Sequence, residues 1–106
     1  MLDPNATIAA ICSAAGTAGR AIVRASGPAA FQVAGAVFRP ADTALNELDG
    51  FRAVAGCIDW GGGALPARAY VFRTPRSYTR QDLVEVHLPG HPLAAARVLG
   101  AMLAAA

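Results

Sequence analysis

The sequence has little charge, and its cations are all of one kind. Charged residues make up 15% of the 106 residues, against an apolar fraction of 55%. This balance excludes a disordered tail and fits one small domain with a single core. There is no lysine, and the arginines are spread from Arg20 to Arg97 without a dense run. Nucleic-acid surfaces usually show clustered cations or a net charge above the +2 found here. We therefore do not expect this chain to bind nucleic acid directly.

The sequence also lacks the marks of export and of membrane insertion. Cys12 and Cys57 are far apart and form no Cys-x-x-Cys pair, which is typical of reduced thiols in a cytosolic protein. No basic segment precedes an apolar run at the start of the chain. The apolar stretch over residues 98–106 is too short to cross a bilayer. We expect a cytoplasmic protein that makes no membrane contact.

No group of residues in the sequence supports metal or covalent catalysis. His87 and His91 have the spacing of zinc ligands on a helix, but the Pro-Gly pair between them breaks such a helix. Ser77 belongs to no His/Asp arrangement that marks a nucleophile. Gly16 and Gly19 lie between two predicted strands, whereas a phosphate-binding loop needs a helix after its glycines. Those glycines predict either a flexible strand connection or a loop that covers a ligand.

Strand and helix signals follow one another in the order β-β-α-β-β-β-α. Runs of β-branched and apolar residues predict the strands, and apolar residues at helical spacing predict the helices. Ser26 is expected to cap the first helix, and three glycines predict a hairpin turn. The predicted strands are Thr7–Cys12, Ala21–Ser26, Phe51–Trp60, Arg68–Arg73 and Leu83–Leu88, the turn is Gly61–Gly63, and the helices are 28–38 and 92–105. We expect one α+β domain over residues 1–106, with a mixed sheet of about five strands and two helices packed on one face.

Two charged side chains lie in the middle of predicted strands, where a charge needs a partner or a purpose. Glu85 and His87 alternate with Val84 and Val86, so the apolar pair should face the helices and the polar pair the other side. Glu85 then serves either a solvated face or salt bridge, or a pocket whose ligand, such as a pterin, presents paired ring donors. Arg24 either lies over the sheet surface or clamps a carboxylate.

Several short blocks, taken together, resemble the amino-terminal domain of the tRNA-modification GTPases of the MnmE/TrmE family. The resemblance covers nearly the whole chain. Its most specific part is a Pro-x-Ser-Tyr-Thr block followed by Glu-x-His. The matching blocks are Thr-Ile-Ala-Ala-Ile (7–11), Ile-Val-Arg-Ala-Ser-Gly-Pro (22–28), Pro-Arg-Ser-Tyr-Thr (75–79) with Asp82, Val-Glu-Val-His (84–87) and Gly90.

This resemblance implies a folate-binding domain that forms a homodimer and is similar in fold to the folate-binding domain of the glycine-cleavage T-protein. The implied cofactor is 5-formyltetrahydrofolate or a related tetrahydrofolate. Arg24 and Glu85 match family folate contacts, and His87 and Tyr78 are expected to support them. Complete family members are GTPases that act with a flavin-containing partner protein on the wobble uridine of tRNA.

The chain departs from the family pattern in several places. A third folate contact of the family, a Lys, falls in a segment that is expected after Ala106. The GTP-binding motif Gly-x-x-x-x-Gly-Lys-Ser/Thr does not occur, so this chain is not expected to bind GTP. The other departures are Thr17 for an Arg, Thr79–Asp82 for Thr-Gly-Glu-Asp, Pro89–Pro92 for His-Gly-Gly-Pro, and Leu65–Pro66 for an acidic pair.

Three functions stay open on the sequence. The first is a folate-binding, dimerising domain of a tRNA-modification enzyme, which the retained Arg24 and Glu85 favour. The second is a diverged scaffold that dimerises without a ligand, which the altered loops favour. The third is a stand-alone folate-dependent one-carbon transferase, for which no general base is visible.

Overall fold

The computed structural model describes residues 7–12, 19–41, 51–73 and 82–105. Within these ranges the chain forms six strands and two helices, which confirms the α+β class. The elements are β1 (Ile8–Ile11), β2 (Arg20–Ser26), α1 (Ala30–Gly35), β3 (Phe38–Pro40), β4 (Phe51–Asp59), β5 (Ala64–Phe72), β6 (Leu83–Pro89) and α2 (Pro92–Ala105).

The described strands form one sheet in the order β1-β2-β6-β5-β4-β3, and every pair in it is antiparallel. The predicted mixed sheet of about five strands was therefore wrong in both strand direction and strand number. Hydrophobic alternation gives each strand its faces but not its neighbours, and β2 lies beside β6 through contacts between distant parts of the chain. The additional strand is β3, whose Phe38 pairs with Ile58 of β4, both in the core.

Helix α1 is shorter than the predicted helix over 28–38, because residues 28–29 and 36–37 form turns and Phe38 belongs to β3. Ser26 is not its cap, since Ser26 remains in β2. The helix follows Ala29, whose N–H donates a hydrogen bond of 2.8 Å to the Thr7 hydroxyl oxygen. The hydroxyl that accepts a backbone N–H at the start of this helix thus comes from Thr7, just before β1, and not from Ser26.

The turn at residues 61–63 is confirmed as the tip of the β4–β5 hairpin. Gly61 and Gly63 have φ values of 89° and 133°, which favour glycine. Strand β5 starts at Ala64 and not at Arg68 as predicted. It can contain Pro66 because β6 pairs only with residues 68–72, so Pro66 lies where β5 has a described neighbour on one side.

Both helices pack on one face of the sheet, as expected. The prediction of which β6 side chains face the helices is confirmed, because Val84, Val86 and Leu88 are buried in the core. On α2, Val98 and Met102 are fully buried, whereas Leu103 is 55% exposed. Within the part of the chain that the structure describes, no helix is long and apolar enough to cross a membrane.

Candidate functional site on the sheet face opposite the helices

The far face, the side of the sheet opposite α1 and α2, carries polar residues in register. Three central strands place Arg24, Glu85 and Tyr70 in one row across this face. His87 and Arg68 pair in the next row. Because partners in an antiparallel sheet point to the same side, these side chains lie next to one another.

Glu85 is the centre of this group and contacts a basic side chain through each of its oxygens. The Arg24 Nε–H donates to Glu85 Oε2 over 2.9 Å, and Arg24 Nη2 contacts the same oxygen. His87 Nε2 lies 3.2 Å from Glu85 Oε1. The side chains of Glu85 and His87 are 17% and 13% exposed, and that of Arg24 is 37% exposed. The carboxylate is thus held firmly while part of it still reaches the surface.

Glu85 carries its negative charge over a wide pH range. Burial by itself raises the pKa of the Glu85 carboxyl, but hydrogen bonds and positive charge from Arg24 and His87 outweigh burial, and the net pKa is lowered from 4.5. An ionised carboxylate only accepts hydrogen bonds, and its two oxygens offer more lone pairs than these contacts use. Glu85 can therefore accept donors from a ligand while keeping its protein partners.

A cleft adjoins this group at one end of the far face. It has a volume of about 580 Å³ and is lined by Arg20, Arg68, Tyr70 and His87, with apolar residues between them. The Tyr70 and His87 rings lie 4.5 Å apart, centre to centre. Arg20 Nη1 lies 3.5 Å from His87 Nδ1.

The structure places the predicted site residues as follows. It brings Arg24, Glu85 and His87 into direct contact on one face. Tyr78 lies outside the described residues, and so does the loop between Gly16 and Gly19 except for Gly19 itself. His91 has a different role from His87. Its Nδ1 accepts a hydrogen bond of 3.1 Å from the N–H of Ala94 and so caps α2.

Sequence reasoning missed three residues of the cleft, namely Arg20, Arg68 and Tyr70. The signal for two of them was present, since Arg68 and Tyr70 alternate with the buried Ala69 and Val71 along β5. Alternation within one strand does not give the register between strands, and it is this register that sets Arg68 beside His87. Arg20 was missed because the predicted strand began at Ala21, whereas β2 begins at Arg20.

Comparisons with known proteins agree on one family. The family described as "GTP-binding protein TrmE N-terminus" matches residues 7–106. A tRNA modification GTPase MnmE of Chlorobium luteolum is 38% identical over 105 residues, which cover 95% of this chain and 22% of that relative. The protein of the same name from Geobacter sulfurreducens is 40% identical over 93% of this chain and 22% of its own length. The one from Symbiobacterium thermophilum is 43% identical over 88% of this chain and 21% of its own length. The chain thus spans about a fifth of these relatives.

Proposed function

The chain belongs to the family of the GTP-binding protein TrmE N-terminus, and we propose that it is the domain that binds a tetrahydrofolate and dimerises in a tRNA-modification GTPase. In the complete protein, GTP hydrolysis and the modification of the wobble uridine would depend on other segments, on tRNA and on a flavin-containing partner protein. This chain would bind the folate, with 5-formyltetrahydrofolate as the ligand, and would form the contact with a second copy.

The observation that supports folate binding is the ionised Glu85 in the middle of the far face. Its carboxylate is fixed by Arg24 and His87, and the Glu85 side chain is still 17% exposed. A pterin ring presents an N–H beside an NH₂ group, and a carboxylate with free lone pairs matches these parallel donors. Tyr70 lies beside Glu85 in register and offers an aromatic surface next to it. We assign the ring of the folate to Glu85.

One feature of the same group favours the alternative, a dimerising scaffold without a ligand. Arg24 and Glu85 form an ion pair with each other, and such a pair can serve the sheet alone. If Arg24 contacts a folate, it therefore does so while it remains bound to Glu85. The two functions differ in whether the chain binds folate at all.

Calorimetric titration of the chain with 5-formyltetrahydrofolate separates them. A charge-assisted contact contributes about 1.5–3 kcal/mol, so Glu85→Gln should weaken binding by about one to two decades. Arg52→Gln is the matched control, because Arg52 pairs with the core residue Val71 on the opposite face. It should leave the affinity unchanged. A folded wild-type chain that shows no heat at millimolar ligand would establish the scaffold instead.

Dimerisation is supported by where the exposed apolar side chains lie. In the described part of the chain, the large exposed apolar residues are all on β1 or α2, which pack against each other. Strand β1 forms one edge of the sheet and has no charge and no proline, whereas the opposite edge, β3, is three residues long and contains both. Sheet edges without such protection tend to pair with another chain. The exposed residues are Ile8, Ile11, Leu93 and Leu103.

We propose that two copies meet at this β1–α2 edge. Ile8→Lys and Leu103→Lys, made together, should convert a dimer into a monomer in sedimentation at micromolar concentration. Gln32→Lys on the exposed side of α1 is the control and should leave the dimer intact. If the wild-type chain sediments as a monomer at all concentrations, it does not dimerise by itself. A double variant that stays dimeric would place the interface elsewhere.

A further inference from the structure

The cleft at the end of the far face is rich in positive charge and contains no acid. Arg20 comes from β2 and Arg68 from β5, and both approach His87 of the intervening strand β6. The residues that line the cleft include no carboxylate. Glu85, the nearest acid by register, is already paired with Arg24. Two guanidinium groups therefore face the same space without an acidic partner in the part of the chain that the structure describes.

The cleft is also aligned with Glu85 along one strand. Arg68 is opposite His87, two residues beyond Glu85, and Arg20 is opposite Pro89, four residues beyond it. At the rise of a β-strand, these positions are about 7 Å and about 13 Å from Glu85. Tyr70 shares the row of Glu85 and His87 shares the row of Arg68, and the two rings are tilted against each other with their centres 4.5 Å apart. A ligand that starts at Glu85 and follows β6 would thus meet Tyr70 first, His87 with Arg68 next, and Arg20 last.

We infer that Arg20 and Arg68 form a subsite for the carboxylates of the glutamyl tail of a folate. This assignment rests on the proposed function, because it takes the ring of that folate to be at Glu85. The p-aminobenzoyl group then lies against Tyr70 and His87, where an aromatic ring packs favourably. The two carboxylates of the glutamyl residue reach the arginines, whose planar groups match carboxylates.

The lining of the cleft favours such a tail over the phosphates of an RNA. A nucleic-acid backbone is bound by a row of cations along an extended surface. Here only two cations line the cleft, and its other lining residues include Pro66, Pro89 and Ala67. A compact dianion on an apolar, aromatic stem fits this arrangement of charge and surface.

The test removes the tail from the ligand and the cation from the protein in a double-mutant cycle. The ligands are 5-formyltetrahydrofolate, its pentaglutamate, and 5-formyltetrahydropteroate, which keeps the ring and the p-aminobenzoyl group but lacks glutamate. The variants are Arg20→Gln and Arg68→Gln, with Arg52→Gln on the opposite face as the control. Each cleft variant should weaken binding of the glutamylated ligands by roughly three- to tenfold and leave the pteroate affinity unchanged. The control should bind all three ligands like the wild type.

The outcomes separate this subsite from the proposed function. Equal losses for the ligands with and without glutamate, or no loss at all, would overturn the subsite while folate binding stands. Weaker binding of a tRNA anticodon stem-loop by both variants, with folate affinity unchanged, would show that the cleft binds RNA and would overturn it too. If the wild-type chain binds no folate, both proposals are wrong, and the absence of heat with every ligand identifies that case.

Discussion

A methyl group added at Gly56 should damage the core more than any surface change of the same size. Gly56 is in β4, opposite Pro40 of the neighbouring strand β3. A Cβ built on it would lie 2.7 Å from Phe38 Cζ and 2.9 Å from Pro40 Cα, and would also meet the Arg39 carbonyl oxygen. Phe38 is fully buried, and two of these three atoms belong to the backbone. Side-chain rotation therefore cannot relieve the clash, and β3 has to move.

We expect Gly56→Ala to lower the free energy of unfolding by about 2–3 kcal/mol, the upper part of the range for overpacked cores. For a domain of this size the midpoint of thermal unfolding should fall by roughly 10–20 °C. The assay is thermal denaturation followed by circular dichroism at one fixed protein concentration, since association shifts the midpoint.

Gly100→Ala is the matched control, because it adds the same methyl group in α2 where nothing lies within 4 Å. This control should stabilise the protein by up to about 1 kcal/mol, because alanine favours a helix more than glycine does. The two substitutions should therefore change the midpoint in opposite directions. A Gly56→Ala variant as stable as the wild type would refute the close approach of β3 to β4.

Three further predictions concern single groups. Since the folded pKa of Glu85 is lowered from 4.5, the stability from its charge is complete above the unfolded value and is lost as the pH falls through the folded one. The stability difference between wild type and Glu85→Gln in urea titrations should thus be constant at neutral pH and shrink below about 4.5; a difference independent of pH would contradict it. His91→Ala should cost about 0.5–2 kcal/mol by uncapping α2, and His91→Asn should recover most of it. Thr7→Val should cost about 1 kcal/mol in the same titrations by leaving the Ala29 N–H without its acceptor, whereas Thr7→Ser should not.

The pairing of Arg24 with Glu85 changes what each residue can contribute to a site. On the sequence, the carboxylate and the guanidinium are independent candidates for different parts of one ligand. In the structure they lie in one row of the sheet and are bound to each other. The pair holds Glu85 ionised and in place, so Arg24 acts first on Glu85. Arg68 and Arg20, which have no acidic partner in the described residues, are one and two rows away, respectively.

Local patterns in the sequence determined the direction of individual side chains and the ends of some elements. Alternation along β6 predicted that Val86 faces the core and Glu85 the other side, and burial confirms both. The three glycines predicted the hairpin turn, because two of them need positive φ. The helix from Pro92 to Ala105 was predicted with its bounds, since a proline at its first position and a long apolar stripe are local signals.

Only the tertiary structure decided which strands are neighbours, in which direction they run and in what register. A strand's period of two residues is the same in parallel and antiparallel sheets, so the sequence could not exclude a mixed sheet. Register sets Arg24 opposite Glu85 and Arg68 opposite His87 across 61 and 19 residues of chain, respectively. It also turns residues 38–40 into a strand, because Phe38 gains a place against Ile58 in the core. These choices depend on which distant surfaces bury the most apolar area together, and no local pattern carries that information.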